Sequence, residues 1–144
     1  VLLSAETMKA GFDFLKTYLP KEKTSRGRCI LATVQGDIHD LGKNIVSALL
    51  ENSGFEVIDL GKDVAPQIIL DKVQEHNPDF VGLCALMTTT LPALDRTVRL
   101  LQNSRYQGEI MAGGAVLTSE YTGDLGISHA QDALKALKLA KEWT

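Results

Sequence analysis

The run Val34, Gln35, Gly36, Asp37, Ile38, His39, Asp40, Leu41, Gly42, Lys43, Asn44 gathers an imidazole, two carboxylates and a permissive glycine into one polar stretch. An imidazole can offer one ring nitrogen to a metal while the other donates to a carboxylate, which fixes the tautomer and raises the basicity of the ligating atom. Asp37 lies two residues before His39, so a curled loop brings its carboxylate to the ring. Taken alone, an Asp-x-His pair serves capping or packing equally well. A single histidine also does not make a zinc site, which needs several protein ligands. A metal held at His39 therefore takes most of its coordination from a cofactor. Gly42 lets a backbone or a bulky ligand come close at a helix start, or simply turns the chain.

Two other stretches have matching character. Thr88, Thr89 and Thr90 offer a helix cap, and Thr90 can alternatively bond Asp37 and pass proton control to His39. Gly113, Gly114 and Ala115 form a small-residue loop with the same ambiguity as Gly42. Phosphate-loop patterns are absent: no lysine followed by serine or threonine closes a glycine-rich loop, and the first turn lacks G-x-G-x-x-G. Cys84 reads as a small buried residue rather than a reactive thiol. His76 reads as a helix-end residue, while His129 lies near the last loop of the same edge.

The elements that must position these residues alternate. Strands are expected over 29–34, 55–60, 80–85 and 109–112, with a brief fifth at Ile127 and Ser128. Helices are expected over 41–52, 64–76, 91–103, 118–124 and 132–142. Ile45, Val46, Leu49 and Leu50 should face the sheet from the first, Ile68, Ile69 and Val73 from the second, and Leu94, Val98 and Leu101 from the third. Leu134, Leu137 and Leu139 form the apolar side of the last. Repeated strand-helix-strand units with right-handed crossovers give a three-layer, Rossmann-like (flavodoxin-like) α/β fold with a parallel sheet of about five strands. In that architecture the loops after strands one, three and four share one edge. Residues 35–41, 85–90 and 113–118 therefore form the expected binding site.

Composition sets the bounds. The 144 residues suffice for one domain with a real core, and 44% hydrophobic with 23% charged content is that of a folded globular chain. A net charge of -3 provides no global basic field for nucleic acid or an anionic membrane. Residues 1–28 carry six basic and three acidic side chains, a local +3, which reads as a solvated linker. Residues 1–19 are expected to form a helix ending at Pro20, with enough apolar surface to be the tail of a larger element. Cys29 and Cys84 do not amount to a disulfide framework, and cytoplasmic location is the expectation.

The segment Gly36, Asp37, Ile38, His39, Asp40, Leu41, Gly42, Lys43, Asn44 resembles the D-x-H-x-x-G signature of cobalamin-binding domains, those of methionine synthase and of the small corrinoid methyl-carrier proteins. The resemblance covers residues 28–142, and residues 1–27 look like the remnant of a helical cap with its linker. It implies that His39 replaces the cofactor's own base as lower axial ligand of cobalt, that Asp37 holds its other nitrogen, and that the relay continues to Thr90. It further implies that Gly42, Gly113 and Gly114 line the channel for the displaced nucleotide tail, beside a Cys84-Ala85-Leu86 element that resembles the family's Ser-x-Leu. Gly36, Ile38, Asp40, Lys43, Thr88, Ala115 and His129 complete the expected cofactor contacts. Cys84 departs from the usual serine, exchanging a strong hydroxyl for a weaker thiol. The segment around residues 127–130 is shorter than usual and holds His129. The implied function is that of a corrinoid protein carrying a methyl group on cobalamin or a related cobamide, in the methylcobalamin form. Its implied partners are methyl-donor and methyl-acceptor methyltransferase proteins or domains and a reductive activase. The rival readings are the adenosylcobalamin-binding subunit of a mutase and a non-corrinoid flavodoxin-like binding module.

Overall fold

The computed structural model describes residues 7–11, 13–14 and 25–144. Five parallel strands form one sheet: β1 (Gly27–Thr33), β2 (Phe55–Asp59), β3 (Phe80–Cys84), β4 (Glu109–Gly113) and β5 (Ser128–His129), in spatial order β2-β1-β3-β4-β5. The helices between and after them are α1 (Leu41–Asn52), α2 (Pro66–His76), α3 (Leu91–Asn103), α4 (Ser119–Asp124) and α5 (Ala133–Trp143). The expected three-layer arrangement is therefore present, with boundaries shifted by at most two residues. The fifth strand is displaced by one residue, to Ser128 and His129.

Both sheet faces are covered, which is why the strands read as nearly unbroken apolar runs. Alternation sends Ile30, Ala32, Val81, Leu83, Ile110 and Ala112 towards α2 and α3. Cys29, Leu31, Phe80 and Met111 go to the opposite face, with Leu50 of α1 and Ala136, Leu139 and Ala140 of α5. Helix starts follow local chemistry. Pro66 stands in the first turn of α2, the Thr118 hydroxyl accepts the Tyr121 amide at 3.1 Å, and the Asp132 carboxylate accepts the Lys135 amide at 2.7 Å. Asp132 is thus the cap of α5 rather than its first residue.

Three apolar assignments are corrected. Ile68 is 51% exposed, because the inward arc of α2 is centred on Ile69 and Val73 and each residue turns the helix by about 100°. Leu134 is 72% exposed, roughly half a turn from the inward Ala136 of α5. Ile45 is only partly buried, since it borders a cavity, whereas Val46 borders the same cavity but packs against the core as expected. The expected helix over 1–19 and linker over 20–27 lie largely outside the described residues, of which 7–11, 13 and 14 are helical.

Candidate functional site

The strand order reverses direction between β1 and β3, so the chain leaves β1 towards α1 on one face and leaves β3 towards α3 on the other. A crevice opens at such a point. The loop after β1 folds back under its own anchors: the Gly36 amide donates to Asp63 Oδ1 at 2.8 Å, and the Asp63 amide donates to the Asp37 carbonyl at 2.9 Å. Thr33 Oγ1 donates to the His39 carbonyl at 3.1 Å. His39 therefore stands on a fixed backbone.

Asp37 is fully buried and accepts four hydrogen bonds. Its Oδ1 takes the His39 amide at 3.0 Å and bonds His39 Nδ1 at 2.7 Å. Its Oδ2 takes the Leu86 amide at 2.7 Å and the Thr90 hydroxyl at 3.2 Å. The Thr90 proton is shared with the Met87 carbonyl, which is nearer at 2.8 Å, so the Thr90 link is the weaker of the four. Burial pushes the Asp37 carboxyl up, yet the Leu86 and His39 amides, the imidazole and the Thr90 hydroxyl together hold it below the usual aspartate value. An ionised carboxylate only accepts, so Nδ1 carries a proton, and in the neutral imidazole the lone pair then lies on Nε2. The His39 side chain is half exposed, at 50%, and borders the cavity.

That cavity has a volume of about 970 Å³. Of the residues singled out in the sequence, Ile38, His39, Asp40, Gly42, Lys43, Cys84, Leu86, Gly113, Gly114 and Ala115 line it. Asp37 and Thr90 sit buried behind His39. Gly36, Thr88 and His129 are not in its lining, and His129 Nδ1 instead bonds the Ser119 hydroxyl at 3.1 Å.

Three positions have roles the sequence did not reveal. Lys43 is buried, with Nζ at 2.7 Å from both Asp59 oxygens and 2.9 Å from Asn44 Oδ1, so its charge fastens α1 to the end of β2. A Cβ on Gly113 would stand 2.7 Å from the Ala130 carbonyl, and one on Gly114, at φ +138°, would overlap the Ala85 carbonyl. Those two glycines are required by the protein's own packing. Gly42 is different: a Cβ there meets nothing within 4 Å.

Sequence reasoning missed the deeper lining. Leu31, Gly82 and Met111 border the cavity from mid-strand, as do Ala136 of α5 and the loop residues Lys62, Gln131 and Asp132. The only signal was that Leu31, Gly82 and Met111 each lie two residues before the end of their strand. Cys84 is half-buried, with burial, the main cause, pushing its thiol up to about 12 against the opposing pull of Lys43. Among the described residues no group of three or more His, Cys, Asp or Glu side chains is placed to hold a metal ion.

The family model for the B12 binding domain matches residues 27–138. Dimethylamine corrinoid protein 3 of Methanosarcina mazei is 40% identical over 147 aligned residues, covering 99% of this chain and 88% of its own length. The structure of the Methanosarcina barkeri monomethylamine corrinoid protein superposes with a TM-score of 0.91 at 28% identity, covering 99% of this chain and 70% of that one. A chain of the methanol:cobalamin methyltransferase complex MtaBC from Methanosarcina barkeri superposes with a TM-score of 0.80 at 31% identity, covering 99% of this chain and 55% of that one.

The residues present fit such a cofactor. One imidazole lone pair stands at the cavity mouth without companion metal ligands, which suits a metal that brings its own ring of donors. Gly42 leaves open space that a side chain would fill. Ile38 is 66% exposed at the same mouth, a large apolar side chain left uncovered beside the imidazole. By the match over residues 27–138, by the corrinoid proteins it aligns with along nearly its whole length, and by the fit of this cavity, the chain belongs to the B12-binding domain family and its cofactor is a cobamide.

Proposed function

We propose that this protein holds its cobamide base-off, with His39 Nε2 as lower axial ligand of cobalt, and carries a methyl group between partner methyltransferases. The observation that carries this reading is the 2.7 Å pair between His39 Nδ1 and buried Asp37, which leaves the other ring nitrogen as a lone pair at the cavity mouth. The relatives' names support the rest: they are corrinoid proteins of methylamine systems and a methanol:cobalamin methyltransferase complex. A bound cobamide supplies the metal centre on which a methyl group is accepted and given up. The chain supplies binding, orientation and room. His39 ligates, Asp37 fixes its tautomer and tilt, and the Leu86 amide and Thr90 hydroxyl hold Asp37. Ile38 offers an apolar surface beside the ring, and the cavity takes the nucleotide tail past Gly42, Gly113 and Gly114.

Residues 28–144 form the cobamide-binding unit in this proposal, and residues 1–27 the end of a helical cap with its linker. The helical residues 7–11 support this, since Lys9 borders the same cavity. Among the described residues no helix is long and apolar enough to cross a membrane. Two unpaired cysteines are consistent with the cytoplasm as the proposed compartment. The deciding experiment loads the chain with cobamide, removes free ligand, and follows methyl transfer to and from methylamine and methanol methyltransferase partners. Methylation of the loaded protein by such a partner supports the proposal, and stable loading without exchange with any of them overturns the methyl-carrier role.

Gly42 gives an independent test. Gly42→Leu should stabilise the cofactor-free protein by about 0.5–1 kcal/mol, because the residue is helical and its neighbourhood is empty. The same change should weaken cobamide retention about tenfold or more by filling space the cofactor needs. Thermal melting and retained visible absorbance read the two effects, and unchanged retention would show that Gly42 merely turns the chain.

A further inference from the structure

The cavity continues inward along the sheet face covered by α1 and α5, and parallel register dictates what it passes. Thr33 pairs with Cys84 and Cys84 with Gly113 in an outer row. Leu31 pairs with Gly82 and Gly82 with Met111 in a second row, and Cys29 pairs with Phe80 in a third. Residues two apart on a strand share a face, so the rows lie about 6.6 Å apart. Cys84 and Gly113 line the cavity from the outer row, all three residues line it from the second, and none from the third. There Phe80 is closed off by Phe55 and Trp143, each at a ring-centroid distance of 5.7 Å. The inner end is a slot floored by Leu31, Gly82 and Met111 and walled by Val46 of α1 and Ala136 of α5.

Its hydrogen-bonding capacity is nearly nil. Backbone groups on the floor are used in the strand ladder and those of the walls within the helices. The Lys43 ammonium is taken by Asp59 and Asn44. Among the side chains of the strand rows what remains is the Cys84 thiol at the outer edge, kept protonated at neutral pH by burial and so a weak donor, level with the Ala130 carbonyl beside Gly113 and outside the slot itself.

We infer that this slot selects the lower base of the cobamide, taking a benzimidazole-type aryl base and disfavouring a purine. The inference rests on the proposal that the nucleotide tail occupies the cavity. Both bases are bicyclic, so size does not separate them. Released from cobalt, a benzimidazole leaves one ring nitrogen to be served, which one weak donor can do. Adenine brings an exocyclic amino group and additional ring nitrogens that meet only Leu31, Val46, Met111 and Ala136. Unpaired buried polar groups of this kind lower affinity by about one to two powers of ten. The Met111 thioether adds a polarisable contact that suits an aromatic ring.

The test measures, by retained visible absorbance at equilibrium, the affinity of the full chain for cobalamin, for its adenine-base analogue and for cobinamide, which has no nucleotide tail. Cobalamin should bind tightest, with the adenine analogue weaker by about tenfold to a hundredfold. Met111→Gln places an amide of similar length on the floor and should narrow that ratio. Cys84→Ser, at the half-buried outer edge, should narrow it without burdening the core. Equal affinity for the two tailed cofactors, or a ratio that neither folded variant moves, overturns the inference alone. Cobinamide binding as tightly as cobalamin overturns the placement of the tail and the inference with it. Retention of none of the three removes the cobamide reading beneath both.

Discussion

His39→Ala should abolish the axial nitrogen signal of the loaded protein and leave a base-off visible spectrum, while the protein stays folded. Ligation and stability depend on different parts of this residue. His39 is half exposed and packs into neither core cluster, so its removal creates no buried cavity. The variant keeps the residue-39 amide that donates to Asp37, and Asp37 loses one of four donors, a cost of about 1 kcal/mol. Ligation has no such reserve. Among the described residues no group of three or more metal-binding side chains stands in reserve, so under the proposed ligation the cobalt should lose its protein ligand. Retention should fall at least as far as the roughly tenfold to hundredfold seen when an outer-shell partner of a metal ligand is lost. Paramagnetic resonance of the reduced, loaded variant reads the nitrogen coupling directly. Nitrogen coupling identical to that of the unaltered protein would sink the assignment of His39.

Much of this site is legible in the sequence, because it depends on local order. The D-x-H spacing puts a carboxylate and an imidazole in one loop, and strand-helix alternation places that loop and the Thr88–Thr90 turn on one edge. Helices α1 and α3 began and ended where their sequences indicated. What remained hidden depends on residues distant in sequence. Lys43 lines the cavity as expected, but its ion pair with Asp59, sixteen positions on, is not visible in the local sequence. Leu31, Gly82 and Met111 read as ordinary core, and only the spacing of α1 and α5 over that row of the sheet leaves them beside a cavity. Ile68 and Leu134 show the complementary error: an apolar type within a helix does not give the direction in which it points. Gly113 and Gly114 line the cavity as expected, and the carbonyls of Ala130 and Ala85 place a second demand for glycine there that local sequence does not show.

Asp37→Asn is expected to impair fold and ligation together, for a reason peculiar to an amide. The carboxylate faces four donors, the His39 amide and Nδ1 on one oxygen and the Leu86 amide and Thr90 hydroxyl on the other. An asparagine replaces one acceptor with a donor and must choose which side to fail. With its oxygen towards Leu86 and Thr90, its NH2 group meets Nδ1, which can accept only if the imidazole proton moves to Nε2. That tautomer has no lone pair for cobalt. With its oxygen towards His39 the ligand is preserved, but the NH2 group meets the Leu86 amide across 2.7 Å and leaves that donor unpaired. Either choice also removes a charge that all four donors were arranged to hold. The expected loss is about 3 kcal/mol, a fall of roughly 6–12 °C in the Tm of the cofactor-free protein, with a weakened axial nitrogen signal in the loaded one. Thr90→Val should cost less, since the Thr90 proton is already closer to the Met87 carbonyl than to Asp37. Acid acts on the same group: the folded Asp37 carboxyl lies below its usual value, so its contribution to stability is complete above about pH 4 and fades as pH falls through the folded value. Asp37→Asn should therefore flatten the acid limb of the stability curve. Unchanged melting together with an unchanged nitrogen signal would mean that Asp37 neither holds the loop nor sets the tautomer.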